Sequence, residues 1–205
     1  MGHVERRRRE TEEIKKKIID AATQLFLEEG YEKVSMRKIA QQIDYSPTTI
    51  YLYFANKDEI LSHLLQKGFS QFMTAITDAI AEHEGADVIG KIRAGLRAYM
   101  QFGLDSPDYY KLIFVENLQR INIALKEDDS GLKIFDQLVV AIRGGVEQGV
   151  FVQEDPYIIS QSLWASIHGV TSLITSFEKL DGTNKERLMN HHIDLLLRGL
   201  TKPSS

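Results

Sequence analysis

The chain has 205 residues, 43% of them hydrophobic, with 25 Lys/Arg against 29 Asp/Glu and a formal net charge of -4. That length can bury one large core or two small ones. No run of 18 apolar residues exists and no apolar stretch follows the N-terminal arginines, which excludes a spanning helix and a secretory signal. Cysteine is absent, which excludes disulfides and thiolate metal sites and points to a cytoplasmic protein.

The predicted elements are helical throughout. Ile14, Ile18, Ala21, Ala22, Leu25 and Phe26 form one apolar stripe spaced by three and four, and Gly30 closes that first helix. Ser35 caps a second helix with Met36, Ile39, Ala40 and Ile43 inward. Ser46 caps a third, with Pro47 at its first position, where a missing N–H does no harm. Asn56 and Glu59 mark the start of a long fourth helix whose stripe is Leu61, Leu65, Phe69, Phe72, Ile76 and Ile80.

A fifth helix follows Glu84-Gly85-Ala86, with Ile89, Ile92, Leu96, Tyr99 and Phe102 inward. Ser106-Pro107 opens a short sixth through Tyr109, Tyr110, Ile113 and Phe114. Within Asn117–Gly131, the polar 126–130 core reads as an exposed loop. Leu132, Phe135, Leu138, Val139, Ile142 and Val146 make a seventh helix, ended by Gly149. Asp155-Pro156 starts an eighth that reaches about Lys179, and Asp181-Gly182 is a turn. Thr183 and Glu186 form a capping box for a ninth, with Leu188, Leu195, Leu196 and Leu200 inward. The expected fold is all-α with about nine helices. A three-helix unit spans 1–55, and a helical body spans 56–205.

The second and third helices with their tight turn have the layout of a helix-turn-helix. On the third, Ser46, Thr48, Thr49, Tyr51 and Tyr53 carry hydroxyls where a merely solvated helix would carry Lys and Glu. Ile50 and Phe54, one turn apart, hold it to its neighbours. Short hydroxyl side chains let a helix approach base edges and phosphates, and Tyr adds reach. Lys57 is placed to neutralise a flanking phosphate. Residues 1–60 are neutral overall, with 11 basic and 11 acidic side chains, but the basic ones cluster as Arg6–Arg9 and Lys15–Lys17. Ahead of a helix-turn-helix, the Arg6–Arg9 run reads as an arm for phosphates or the minor groove.

Gly30-Tyr31, Ser35-Met36-Arg37-Lys38-Ile39-Ala40, Thr49-Ile50-Tyr51-Leu52-Tyr53-Phe54 and Asn56-Lys57-Asp58-Glu59-Ile60-Leu61 resemble the N-terminal signature of the TetR family of bacterial transcriptional regulators. The resemblance covers about residues 10–62. It implies a homodimer on a palindromic DNA operator, with repression relieved by a small-molecule effector held in the C-terminal body. At the matching positions it implies DNA contacts from Ser35, Arg37, Tyr45, Ser46, Thr48, Thr49, Tyr51, Tyr53 and Lys57. Pro47 departs from the polar side chain of many relatives. Trp164-Ala165-Ser166-Ile167-His168-Gly169-Val170 is similar to a tryptophan/histidine-glycine motif of one C-terminal subgroup.

Trp164 and His168 share a helix face. Either they line an effector pocket with Tyr99, Phe102, Tyr110 and Phe114, or they are core residues. The eighth helix is apolar around much of its circumference, including Ile158, Ile159, Leu163, Ile167, Val170, Leu173, Ile174 and Phe177, so the last two helices are the expected dimer surface. Effector binding is expected to tilt the fourth helix and change the spacing of the two reading heads. His63, His83, His168, His191 and His192 lack a metal-binding spacing, and no Gly-rich phosphate loop occurs. Glu116, a lone carboxylate, makes no acid/base pair. The expectation is therefore no metal, no cofactor and no catalysis. The alternative reading is a dimeric helical small-molecule-binding protein without a regulatory DNA role.

Overall fold

A computed structural model of the chain describes residues 3–116, 130–176 and 184–202. Among these, nine α-helices occur: α1 His3–Glu29, α2 Met36–Gln42, α3 Pro47–Tyr51, α4 Lys57–Ala81, α5 Val88–Asp105, α6 Pro107–Tyr110, α7 Ser130–Glu147, α8 Pro156–Ser176 and α9 Lys185–Leu200. A 3-10 turn, Tyr31–Lys33, follows α1, and a π-helical turn, Lys111–Glu116, continues α6. The expected all-α architecture is present. The Asp181-Gly182 turn, Phe177 and residues 126–129 of the expected 126–130 loop lie outside the described residues, while Ser130, expected in that loop, opens α7 instead.

Local chemistry sets the helix ends. Gly30 has φ +82° and Gly149 φ +73°, the left-handed backbone that glycine adopts without a Cβ penalty. Ser35, Ser46 and Asn56 accept from the backbone N–H of Lys38, Thr49 and Glu59 at 3.2, 3.1 and 2.9 Å. Glu59 reaches back to the Ala55 N–H at 2.6 Å rather than to the cap residue itself. Asp87, unnoticed in the sequence, caps α5 through the Gly90 N–H at 2.8 Å. For α9 the cap is Asn184, accepting from the Arg187 N–H at 2.9 Å; Thr183, the expected cap, lies outside the described residues. The α9 inner face also differs from expectation. Met189, Ile193, Leu197 and Leu200 are buried, whereas Leu195 is 53% exposed.

One cluster of buried side chains runs from Ile18 in α1 through α4 and α5 to Leu200 in α9. Helices α2 and α3 pack on each other, and α1 rests against α2, α4 and the π-helical turn. In the body, α4 lies along α5, which also meets α6, α7, α8 and α9. Helix α4 therefore has its first turn in the reading head and its remainder in the body. The C-terminus is tied back: Val152 N–H donates to the Leu200 carbonyl at 2.9 Å beside an isolated Phe151–Thr201 bridge. No helix is long and apolar enough to cross a membrane, among the described residues.

Candidate nucleic-acid interface and effector site

The reading head presents α3 to solvent. Ile50 is fully buried and Phe54 nearly so, which anchors the helix, while Tyr51 is 56% exposed and Leu52 78%. Ser35, Arg37, Ser46 and Thr48 are exposed as well. The Ser46 and Thr49 hydroxyls bond each other at 2.9 Å, so Ser46 is both a cap and part of a hydroxyl pair. Tyr45 and Tyr53 are half-buried against the core, leaving only part of each ring outward. The turn between α2 and α3 passes through Asp44 at φ +58°, a left-handed position that Asp tolerates better than most non-glycine residues.

Lys57 departs from its expected free posture. Its ammonium donates to the Tyr31 carbonyl at 2.9 Å and lies 4.1 Å from the Tyr31 ring centroid. The Tyr31 hydroxyl bonds the Asp58 carboxylate, and Lys38 pairs with Glu29. These contacts lash the end of α1 to the starts of α2 and α4. The Arg6–Arg9 run forms an early, exposed turn of α1 rather than an extended tail, with Arg6 on Glu10 at 2.8 Å. That ion pair raises the Arg6 pKa further, through the hydrogen bond first and the charge second. Leu52 is the most exposed large apolar side chain of the head.

In the body, the six predicted effector residues meet in one place. Tyr99 and Phe102 come from α5, Tyr110 from α6, Phe114 from the π-helical turn, and Trp164 and His168 from α8. His168 Nδ1 lies 3.1 Å from the Tyr99 hydroxyl and 2.8 Å from that of Tyr110, which also sits 3.1 Å from the His168 carbonyl. Rings stack around this polar knot: Tyr99–Tyr110 at 6.1 Å, Tyr110–Phe114 at 5.4 Å and Trp164–His168 at 6.1 Å between centroids. Burial raises both phenols, Tyr99 strongly and Tyr110 to about 12, and lowers the His168 imidazole. Tyr99, Tyr110 and His168 are thus all neutral near pH 7: hydroxyl donors around an imidazole, walled by rings. The two hydroxyls and the imidazole satisfy one another inside this wall of rings.

Two residues missed as site members complete the wall. Phe72 of α4 packs on Tyr99, Phe102 and Phe114 at 5.4, 5.3 and 5.0 Å, and Phe69 packs on Phe114 at 6.5 Å. Both appear in the sequence as stripe residues, but the helix they would face is not written there. Glu116 closes the π-helical turn, exposed, with its pKa raised by desolvation and partly offset by Lys111. Among the described residues no group of three or more His, Cys, Asp or Glu could hold a metal ion.

Residues 18–64 match the bacterial regulatory proteins of the tetR family, and residues 92–196 match the tetracyclin repressor-like C-terminal domain. The chain belongs to the TetR family. It is similar to the "Fatty acid metabolism regulator protein" of Bacillus subtilis (strain 168), 28% identical over 191 residues, covering 89% of this chain and 93% of that protein. Its fold is that of the fatty acid degradation regulator FadR from Bacillus halodurans (TM-score 0.70, 25% identity, 90% and 95% covered). It is also that of AibR in complex with isovaleryl coenzyme A and operator DNA (TM-score 0.74, 21% identity, 89% and 97% covered). This TetR-family chain is a helix-turn-helix transcriptional regulator and not an enzyme. The reading in which the helix-turn-helix has no regulatory DNA role is thereby set aside.

Proposed function

We propose that the protein is a cytoplasmic homodimeric repressor that holds a palindromic operator and releases it when an acyl-chain effector enters the aromatic site. Residues 1–55 serve as the DNA-binding domain and 56–205 as the effector and dimerisation domain. Ser35, Arg37, Tyr45, Ser46, Thr48, Thr49, Tyr51, Tyr53 and Lys57 face DNA. Tyr99, Phe102, Tyr110, Phe114, Trp164 and His168 receive the effector. In this reading Trp164-Ala165-Ser166-Ile167-His168-Gly169-Val170 is the subgroup motif, and its Trp and His are effector residues.

The observation that carries the proposal is the course of α4. One helix starts beside Tyr31 in the reading head and delivers Phe69 and Phe72 into the aromatic site. A guest that moves α4 alters the head. The effector class is supported by the apolar walls and neutral donors, and by relatives named for fatty acid metabolism. Dimerisation through α8 and α9 is supported by the exposed Ile158, Leu173 and Leu195, apolar side chains left outward after the core is filled.

The test uses an operator selected from random duplexes and dodecanoyl-coenzyme A as probe. The probe should weaken operator binding roughly 5- to 150-fold, and operator should weaken probe binding by the same factor. Equal probe affinity with and without operator sinks the regulatory reading. A monomer at micromolar concentration by sedimentation removes the two-headed geometry, which needs reading helices about 34–36 Å apart or a multiple of that.

A further inference from the structure

Phe72 is 4% exposed and sits at the centre of the effector residues, touching Tyr99, Phe102 and Phe114 edge-on. At centroid separations of 5.0–5.4 Å these rings are in mutual contact, so a guest among them must displace one. The rings are not equally replaceable. Tyr99 and Tyr110 are tethered to His168 by their hydroxyls. Phe102 rides on α5, which ion pairs tie to α9: Arg93 to Asp194 at 2.5 Å and Arg97 to Glu186 at 2.8 Å. Phe72 has no polar tether, and its helix is the one that leads to the reading head. An open groove between α4 and α5 has Phe102 in its wall.

One turn before Phe72, on the same face, stands Gly68. A Cβ added there would lie 2.5 Å from Tyr109 Cδ1 and 2.8 Å from Ile113 Cδ1, so α4 bears directly on α6 and the π-helical turn at this point. At 1.5 Å per residue, Phe72 lies roughly 6 Å from this contact along the axis, and Lys57 roughly 16 Å on the other side. With Gly68 as fulcrum, a displacement at Phe72 is magnified nearly threefold at the start of α4.

We infer that the Phe72 ring is a built-in occupant of the effector site, that effector and ring compete for the slot between Tyr99, Phe102 and Phe114, and that expulsion of the ring levers α4 about Gly68. The slot takes an uncharged apolar group of about phenyl cross-section. This rests on the effector reading above for the site's location, but the ring's own role can be tested without any effector.

The experiment compares full-length wild type with Phe72→Ala. Removing the ring should leave an apolar slot that small aromatic molecules fill. Operator affinity of F72A should fall at least fivefold, and saturating benzene should restore it to within about twofold of wild type while leaving wild type unchanged. In the second arm, F72A should bind dodecanoyl-coenzyme A at least tenfold tighter than wild type, and operator should no longer weaken that binding. Wild-type operator affinity in F72A, no restoration by benzene, or tighter probe binding with undiminished coupling each overturns the inference. If F72A fails to fold, Phe72→Leu must shift probe affinity and coupling in the same directions by at least threefold. A probe that binds neither wild type nor F72A, with benzene still restoring operator affinity, removes the acyl effector and leaves the ring's role standing.

Discussion

Adjacent residues of α3 should respond in opposite ways to the same change. Ile50 is fully buried and Tyr51 is 56% exposed. Truncating Ile50 to Ala deletes buried methyl groups and leaves a cavity, costing about 2–5 kcal/mol. For a chain of this size that lowers the melting temperature by roughly 4–20 °C. Truncating Tyr51 to Ala removes a side chain that faces outward, and stability should change by less than about 0.5 kcal/mol. Its loss falls on DNA. A side chain reaching base edges is worth about 1–3 kcal/mol of discrimination, and a two-headed complex loses it twice. Two such losses amount to roughly 2–6 kcal/mol, or about 30-fold to more than ten-thousand-fold in operator affinity. Fluorescence anisotropy on a labelled operator, beside thermal melts of both variants, reads the two effects separately. Wild-type-like footprinting by Y51A at unchanged stability would refute the role given to α3. A Y51A melt lowered as far as that of I50A would refute its outward placement.

Asp44 at φ +58° predicts that Asp44→Gly leaves stability unchanged or improves it, while Asp44→Val costs about 1–3 kcal/mol; equal urea midpoints for the two would remove the left-handed turn from the account. Replacing Arg6, Arg7, Arg8 and Arg9 by Ala should lower the slope of log affinity against log salt by up to about 0.9 for each phosphate the run neutralises, and an unchanged slope shows the run to be idle. Burial lowers the His168 pKa, so its neutral form is favoured in the folded state. Its contribution to stability is full above its ordinary 6.5 and is lost as pH falls below that value. Urea midpoints between pH 5 and 8 should therefore fall toward acid more steeply in wild type than in His168→Asn, and parallel curves would refute the assignment.

How much of this was written in the sequence depends on how local the signal is. Caps at Ser35, Ser46 and Asn56 involve residues three apart, so their side-chain types sufficed. At α9 two good capping residues, Thr183 and Asn184, stand side by side, and type alone does not choose; the helix frame puts Asn184 at the boundary. The same frame turns Leu195 outward, because a leucine-rich turn offers more apolar positions than one face can bury. The π-helical turn was invisible, since one extra residue in a turn leaves the local apolar pattern of Ile113 and Phe114 unchanged. The meeting of Tyr99, Tyr110 and His168 is legible only as aromatic and imidazole content on three separate helices. Phe72's place among them needs the crossing of α4 over α5, a long-range fact that no stripe contains.

The same distinction bears on why a chain of net charge -4 can hold a polyanion. What matters is which acidic side chains face the duplex, and in the head several are engaged internally. Glu29 is spent on Lys38, Asp58 on the Tyr31 hydroxyl, Glu59 on the Ala55 N–H and Glu10 on Arg6. The exposed side chains of α3 are Pro47, Thr48 and Tyr51, all uncharged, so repulsion there is small and the helix N-terminus adds partial positive charge. These internal pairs also consume cations. Lys38 is paired with Glu29, while Lys57 gives one ammonium donor to the Tyr31 carbonyl and keeps two for a phosphate, beside Arg37 and the arginines near the start of α1. Five arginines on each of two heads neutralise at most about ten phosphates, a slope of log affinity against log salt of up to about 9, so the arginines would supply much of the affinity and the hydroxyl and tyrosine contacts of α3 the choice of sequence.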